Sequence, residues 1–167
     1  HNGYEQGSNA DYNKEIAMDE TRLFRFLNTT QADKMKQLRL ENDPLEKEKF
    51  LQRLDQSLHT NGVIDLLRKG FRYKHLVLDM FYVRPSPGNE TAAKLYAQNI
   101  FSVTRQLQYS RQNPLLALDV CLFLNGLPIA TMELKNQLTK QNAADAVKQY
   151  KDERTPDEVL FGFKRCI

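Results

Sequence analysis

No apolar run in this chain of 167 residues approaches the ~20 needed to cross a bilayer; the longest, at 115–118 and 120–124, stop after four or five residues. The first nine residues contain no apolar stretch of the signal-peptide kind. Cysteine is scarce: Cys121 and Cys166 both sit in apolar surroundings without metal-ligand spacing, which favours a reducing, cytoplasmic setting over a disulfide framework. The seven glycines are scattered and no GxxxxGK[ST] occurs, so this stretch has no phosphate-cradling loop for ATP. Internal repeats and low-complexity tracts are missing. A net charge of +3 is too weak to announce a polyanionic partner by itself. With 41% hydrophobic and 27% charged residues, what remains is the composition of one ordinary globular domain.

Residues 1–10 are Gly/Asn/Ser/Gln-rich and read as a disordered lead-in or cloning remnant. From about Asp11 the pattern is helical, with Leu23, Phe24 and Leu27 on one stripe and Thr29-Thr30 as a stop before a helix carrying Met35 and Leu38. Asp43-Pro44 supplies a cap and a first-turn proline, Leu51, Leu54 and Leu58 share a face, and Asn61-Gly62 ends the helix. Residues 71–73 and 76–83 read as strands, 89–98 as a short helix and 101–109 as an alternating strand that carries Arg105 on its apolar face. Asn125-Gly126 joins strands 115–124 and 127–135 in a hairpin. A helix over 140–151 and a strand over 159–167 complete the expectation of a mixed β-sheet flanked by helices.

The hairpin carries the chemistry. Glu133 and Lys135 lie two apart on one strand and point to the same side, leaving Ala130, Met132 and Leu134 for the core. Asp119 folds back beside them, although a strict two-residue turn at Asn125-Gly126 pairs Asp119 with Met132 and turns it away. A shared site therefore requires either a three-residue loop, Leu124-Asn125-Gly126, or a bulge in one strand. Two carboxylates and an amine brought together suit phosphodiester hydrolysis: a hard cation such as Mg²⁺ relieves the repulsion of the carboxylates, and the lysine serves the attacking water or the developing charge. The competing reading of Glu-Leu-Lys is a solvated strand end, but a carboxylate inside the apolar run around Asp119 needs a partner.

The stretch from Phe101 onward, with Asp119, LFLNGLPIA and then Glu133-Leu134-Lys135-Asn136, resembles the N-terminal nuclease domain of type I restriction enzyme R (motor) subunits, as do the upstream GVIDLLRKGFRY and SPGNETAAKLYAQN. The resemblance runs from about Asp19 to Ile167. It implies an α/β fold with a PD-(D/E)xK restriction-endonuclease-like core and an N-terminal helical extension, 11–70 being the helical part and 71–167 the nuclease core. Asp119, Glu133 and Lys135 take the catalytic positions, Asp119 and Glu133 also hold Mg²⁺, and Glu20 is a candidate third ligand. Gln149, Arg105 and Lys148 are candidate DNA-binding or supporting residues. The family's Gln-x-x-x-Tyr signature is altered, since Glu153 stands where tyrosine is expected and Tyr150 lies beside Gln149. The implied activity is cleavage of double-stranded DNA, with an ATP-dependent translocase elsewhere in the full subunit and modification and specificity subunits as partners. A docking or DNA-binding module with a vestigial site, and a stand-alone resolvase-type nuclease, are the alternatives.

Overall fold

The computed structural model describes residues 3–134, 158–162 and 164–166. Strand β1 (Glu5–Gln6), a 3-10 turn at Asn9–Asp11, β2 (Tyr12–Asn13) and β3 (Met18–Asp19) precede four helices, α1 (Glu20–Thr30), α2 (Ala32–Leu38), α3 (Pro44–Asn61) and α4 (Val63–Lys69). The pair β4 (Phe71–Tyr73) and β5 (Leu76–Leu78), helix α5 (Glu90–Tyr96) and strands β6 (Phe101–Gln108), β7 (Ala117–Leu124) and β8 (Leu127–Met132) follow. The main sheet has the order β1-β6-β7-β8; β1 runs parallel to β6 and the other neighbours are antiparallel, so the sheet is mixed.

The helices start and stop for local reasons. Asp19 caps α1 by accepting from the Arg22 amide at 2.9 Å, and Asp43 caps α3 by accepting from the Glu46 amide at 3.0 Å, with Pro44 in the first turn. Their inward faces, Leu23, Phe26 and Leu27 on α1 and Phe50, Leu54 and Leu58 on α3, are buried in one large core with Phe71, Leu78 and Leu127. Phe50 meets Phe71 and Tyr73 edge-on at 5.4 and 5.1 Å between ring centres, the preferred geometry of aromatic pairs. A second, smaller core gathers Tyr12, Leu107, Tyr109, Leu118, Cys121, Phe123 and Leu160. No helix among the described residues is long and apolar enough to cross a membrane.

Five expectations need correction. The lead-in is not frayed from Glu5 onward: β1 pairs with Ser102 and Val103, and Arg22 reaches Gln6 O at 2.8 Å to hold it. Helix begins at Glu20, not Asp11, because residues 12–19 turn back on themselves as β2 and β3. The strand expected at 76–83 ends at Leu78, and that expected at 115–124 begins at Ala117, Leu115 being exposed. In place of a last strand at 159–167, Val159–Phe161 is a 3-10 turn that buries Leu160. Arg165 behind it is buried, donating to Asp55 Oδ1 at 2.7 Å and to the Ile16 carbonyl. The helix expected over 140–151 lies outside the described residues.

Candidate active site

The Asn-Gly turn is a two-residue reversal, Leu124 pairing with Leu127, with both central residues left-handed at φ +51° and +82°. It is not a solvent-exposed tip. Asn125 is fully buried; its Oδ1 accepts from the Ile100 amide at 2.6 Å and its Nδ2 donates to Met80 O at 2.9 Å and Asn99 Oδ1 at 3.1 Å. Gly126 O accepts from the Asp19 amide at 2.9 Å, and a Cβ on Gly126 would lie 2.4 Å from Asp19 O. The hairpin is thus anchored at its turn, and its open end carries the carboxylates.

Of the two routes to a shared site, the structure takes the bulge. Phe123 pairs with Pro128 but Leu122 pairs with Ala130, so Ile129 is the extra residue. Pro128 explains the position, because a residue without an N–H cannot continue the ladder and is accommodated at bulges. Beyond the bulge Cys121 pairs with Thr131 and Val120 with Met132. Carried one step further, this register sets Asp119 beside Glu133, and the Leu134 amide donates to Asp119 Oδ2 at 2.7 Å. Asp119 and Glu133 are both half-buried. The expected inward direction of Met132 and Leu134 is not observed: both are exposed, at 40% and 68%, since the bulge turns that end of β8 over.

The other Asp119 oxygen, Oδ1, accepts from Gln106 Nε2 at 2.8 Å across the β6–β7 pair. Gln106 was not singled out by its sequence, and it is unusual: its φ is +49° in mid-strand, a conformation that strains a residue with a side chain by roughly 1–3 kcal/mol. Around this rung both strands change face. Ser102 and Thr104 are buried before it and Leu107 after it on β6, while Leu118 and Cys121 flank it on β7. The clean alternation expected for 101–109 is therefore broken at Gln106. Arg105, its neighbour, is exposed and pairs with Val120.

Glu20 belongs to a different group of contacts. Asn13 Nδ2 donates to its Oε1 at 2.6 Å and Lys47 Nζ lies 3.3 Å from its Oε2. The densest charge cluster is closed around Arg22, whose Nη1 meets Asp19 Oδ2 at 2.7 Å and Asp11 Oδ2 at 3.1 Å. Burial pushes the Asp19 carboxyl up even against the hydrogen bonds from Arg22. Among the described residues no group of three or more His, Cys, Asp or Glu is arranged to hold a metal ion. Lys135, Lys148 and Gln149 lie outside the described residues.

Two of the expected site residues, Asp119 on β7 and Glu133 one residue past the end of β8, thus lie at the same end of the hairpin. Pro128, which the sequence reading did not use, is the residue that could have located the bulge; for Gln106 the sequence has no such signal. Neither a curated protein nor a solved structure matches the chain. The model of one protein family does, the type I restriction enzyme R protein N terminus, over residues 4–164.

Proposed function

Because this chain belongs to the family of the type I restriction enzyme R protein N terminus, we propose that it is the nuclease domain of such a protein, with a PD-(D/E)xK core that cuts double-stranded DNA. The observation that carries the reading is the bulge at Ile129, which shifts the register so that, continued one residue past Val120 and Met132, it puts Asp119 opposite Glu133 instead of Met132. A bulge that re-aims side chains beside a reaction centre is a recurrent device.

The donor set fits Mg²⁺. The carboxylates of Asp119 and Glu133 are hard oxygen donors, and Mg²⁺ is usually held by one or two carboxylates with water and phosphate filling the remaining positions. In this reading Asp119 and Glu133 hold the cation, while Glu20 keeps its carboxylate on Asn13 and Lys47. When bound, the ion supplies charge neutralisation at the scissile phosphate and an acidified water. Lys135 orients or deprotonates the attacking water and offsets negative charge in the transition state. Exposed Arg105, with Lys148 and Gln149, contacts backbone phosphate, which gives affinity without sequence reading. Recognition and methylation then belong to partner subunits, and ATP-driven translocation to another part of the R protein, all in the cytoplasm.

The test is Mg²⁺-dependent DNA cleavage by the full-length protein with its partner subunits. Asp119→Asn, Glu133→Gln and Lys135→Ala are each expected to lower cleavage by about 10²–10⁴-fold with ATPase unchanged. Cleavage that survives all three overturns the assignment and favours a docking module with a vestigial site.

A further inference from the structure

We infer that Gln106 is the positioning residue of the Asp119 carboxylate and that Asn9 holds Gln106 in place, an inference that rests on the nuclease reading above. Three observations converge. First, the Gln106 amide occupies Asp119 Oδ1 at 2.8 Å while the Leu134 amide occupies Oδ2 at 2.7 Å, so among the described residues each oxygen has one donor and keeps acceptor capacity for a cation. Both donors are neutral. A lysine or arginine at 106 would neutralise the carboxylate, whereas an amide fixes its plane and leaves its charge for the cation.

Second, the left-handed φ of +49° interrupts the β6–β7 ladder at one rung only: Arg105 pairs with Val120 and Leu107 with Leu118, but Gln106 and Asp119 lack the backbone pairing of their neighbours. The rung is linked instead by the side-chain hydrogen bond. A strained residue persists only where its surroundings over-determine it.

Third, Asn9 is what over-determines it. Its Nδ2 donates to Gln106 O at 3.1 Å and its Oδ1 accepts from the Gln108 amide at 2.8 Å, so one side chain grips the backbone at and just beyond Gln106. Asn9 is carried there by β1, whose pairing with β6 is continued by the Gly7 amide donating to Val103 O at 2.9 Å. Gly7 allows this close approach, since a Cβ there would lie 2.3 Å from Thr104 Oγ1. The N-terminal segment is thereby a supporting part of the site.

The experiment uses the full-length protein and compares Gln106→Asn, Gln106→Gly and Asn9→Ala with Asp119→Asn. Asparagine tolerates the left-handed backbone but is one carbon too short, and glycine removes both the strain and the donor, so neither variant depends on a strained fold. The first readout is Mn²⁺ affinity by electron paramagnetic resonance without nucleotide, taking the binding lost in Asp119→Asn as that of this site. The second is the Mg²⁺ concentration for half-maximal cleavage. Both Gln106 variants should weaken Mn²⁺ about 10–100-fold and raise the Mg²⁺ requirement in parallel, with cleavage recovered at high Mg²⁺ and ATPase unchanged. Asn9→Ala should move the same way by a smaller factor. Wild-type Mn²⁺ affinity and Mg²⁺ dependence in Gln106→Asn and Gln106→Gly, beside a dead Asp119→Asn, overturn this role alone. So does a loss of cleavage that saturating Mg²⁺ does not relieve. Wild-type cleavage by Asp119→Asn overturns the nuclease reading and this role with it.

Discussion

The two cores of the molecule are built on different terms. The larger draws mainly on neighbours in the chain, α1 to α4 and the β4–β5 pair, and its centre is a set of aromatic rings around Phe50. The smaller is assembled from Tyr12, β6, β7 and Leu160, segments far apart in sequence, and it buries the Tyr12 hydroxyl, which has no hydrogen-bond partner among the described residues. The candidate active site borders the second core, since Leu107 and Leu118, the rung next to Gln106 and Asp119, belong to it. The larger core is the more aromatic, and the candidate site borders the smaller one. Local opening energies vary across a fold, and functional segments come from the less stable end.

The largest effect should separate the two cores. Phe50→Ala removes a fully buried ring with three aromatic contacts and is expected to cost about 4 kcal/mol in chemical denaturation, as one cooperative transition. Phe123→Ala, also fully buried but with Tyr12 as its ring partner, should cost about 3 kcal/mol, with amide exchange accelerated chiefly in β6 and β7. Equal losses with uniform exchange would erase the distinction.

Gly126→Ala attacks the seam. The turn needs φ +82°, and an added Cβ would meet Asp19 O at 2.4 Å and the Leu23 amide nitrogen at 2.6 Å, both of them backbone atoms that cannot swing aside. Strained backbone and steric displacement together are expected to cost about 3 kcal/mol, and the α1 start and the hairpin should loosen together. A thermal unfolding midpoint within a degree or two of wild type would show that the hairpin tip does not couple the halves.

What was legible in the sequence follows the same divide. Caps at Asp43, the Leu51, Leu54 and Leu58 stripe and the Asn-Gly turn are local signals, and the structure has each of them. The need for either a three-residue loop or a bulge was also legible, as a conflict between turn length and the face of Asp119. The failures are non-local. Nothing in a Gly/Asn/Gln-rich start marks it as an edge strand, because its partner, β6, lies nearly a hundred residues on. Nothing about a glutamine announces a left-handed φ, which tertiary contacts impose. The inward direction assumed for Met132 and Leu134 failed because strict alternation was carried through a bulge at Ile129.

The smallest effects come from two tyrosines, one in each setting. Tyr73 donates to Glu46 Oε1 at 2.8 Å, whereas the buried Tyr12 hydroxyl has no partner among the described residues. Tyr73→Phe should therefore cost about 1 kcal/mol at neutral pH, and Tyr12→Phe should be neutral or slightly stabilising, since it removes a desolvated hydroxyl that gains nothing in return. The alkaline limb gives a second reading. Burial first, and then the bond to Glu46, push the Tyr73 phenol from 10.0 up to about 12. With the folded value above the unfolded one, the folded state holds more protons in that interval, so this contribution is intact below pH 10 and is lost as pH rises to about 12. Tyr73→Phe should flatten the decline over that window, as measured by denaturant midpoints at stepped pH. If both substitutions cost the same at neutral pH, the contrast between a satisfied core and a compromised one fails at its most direct test.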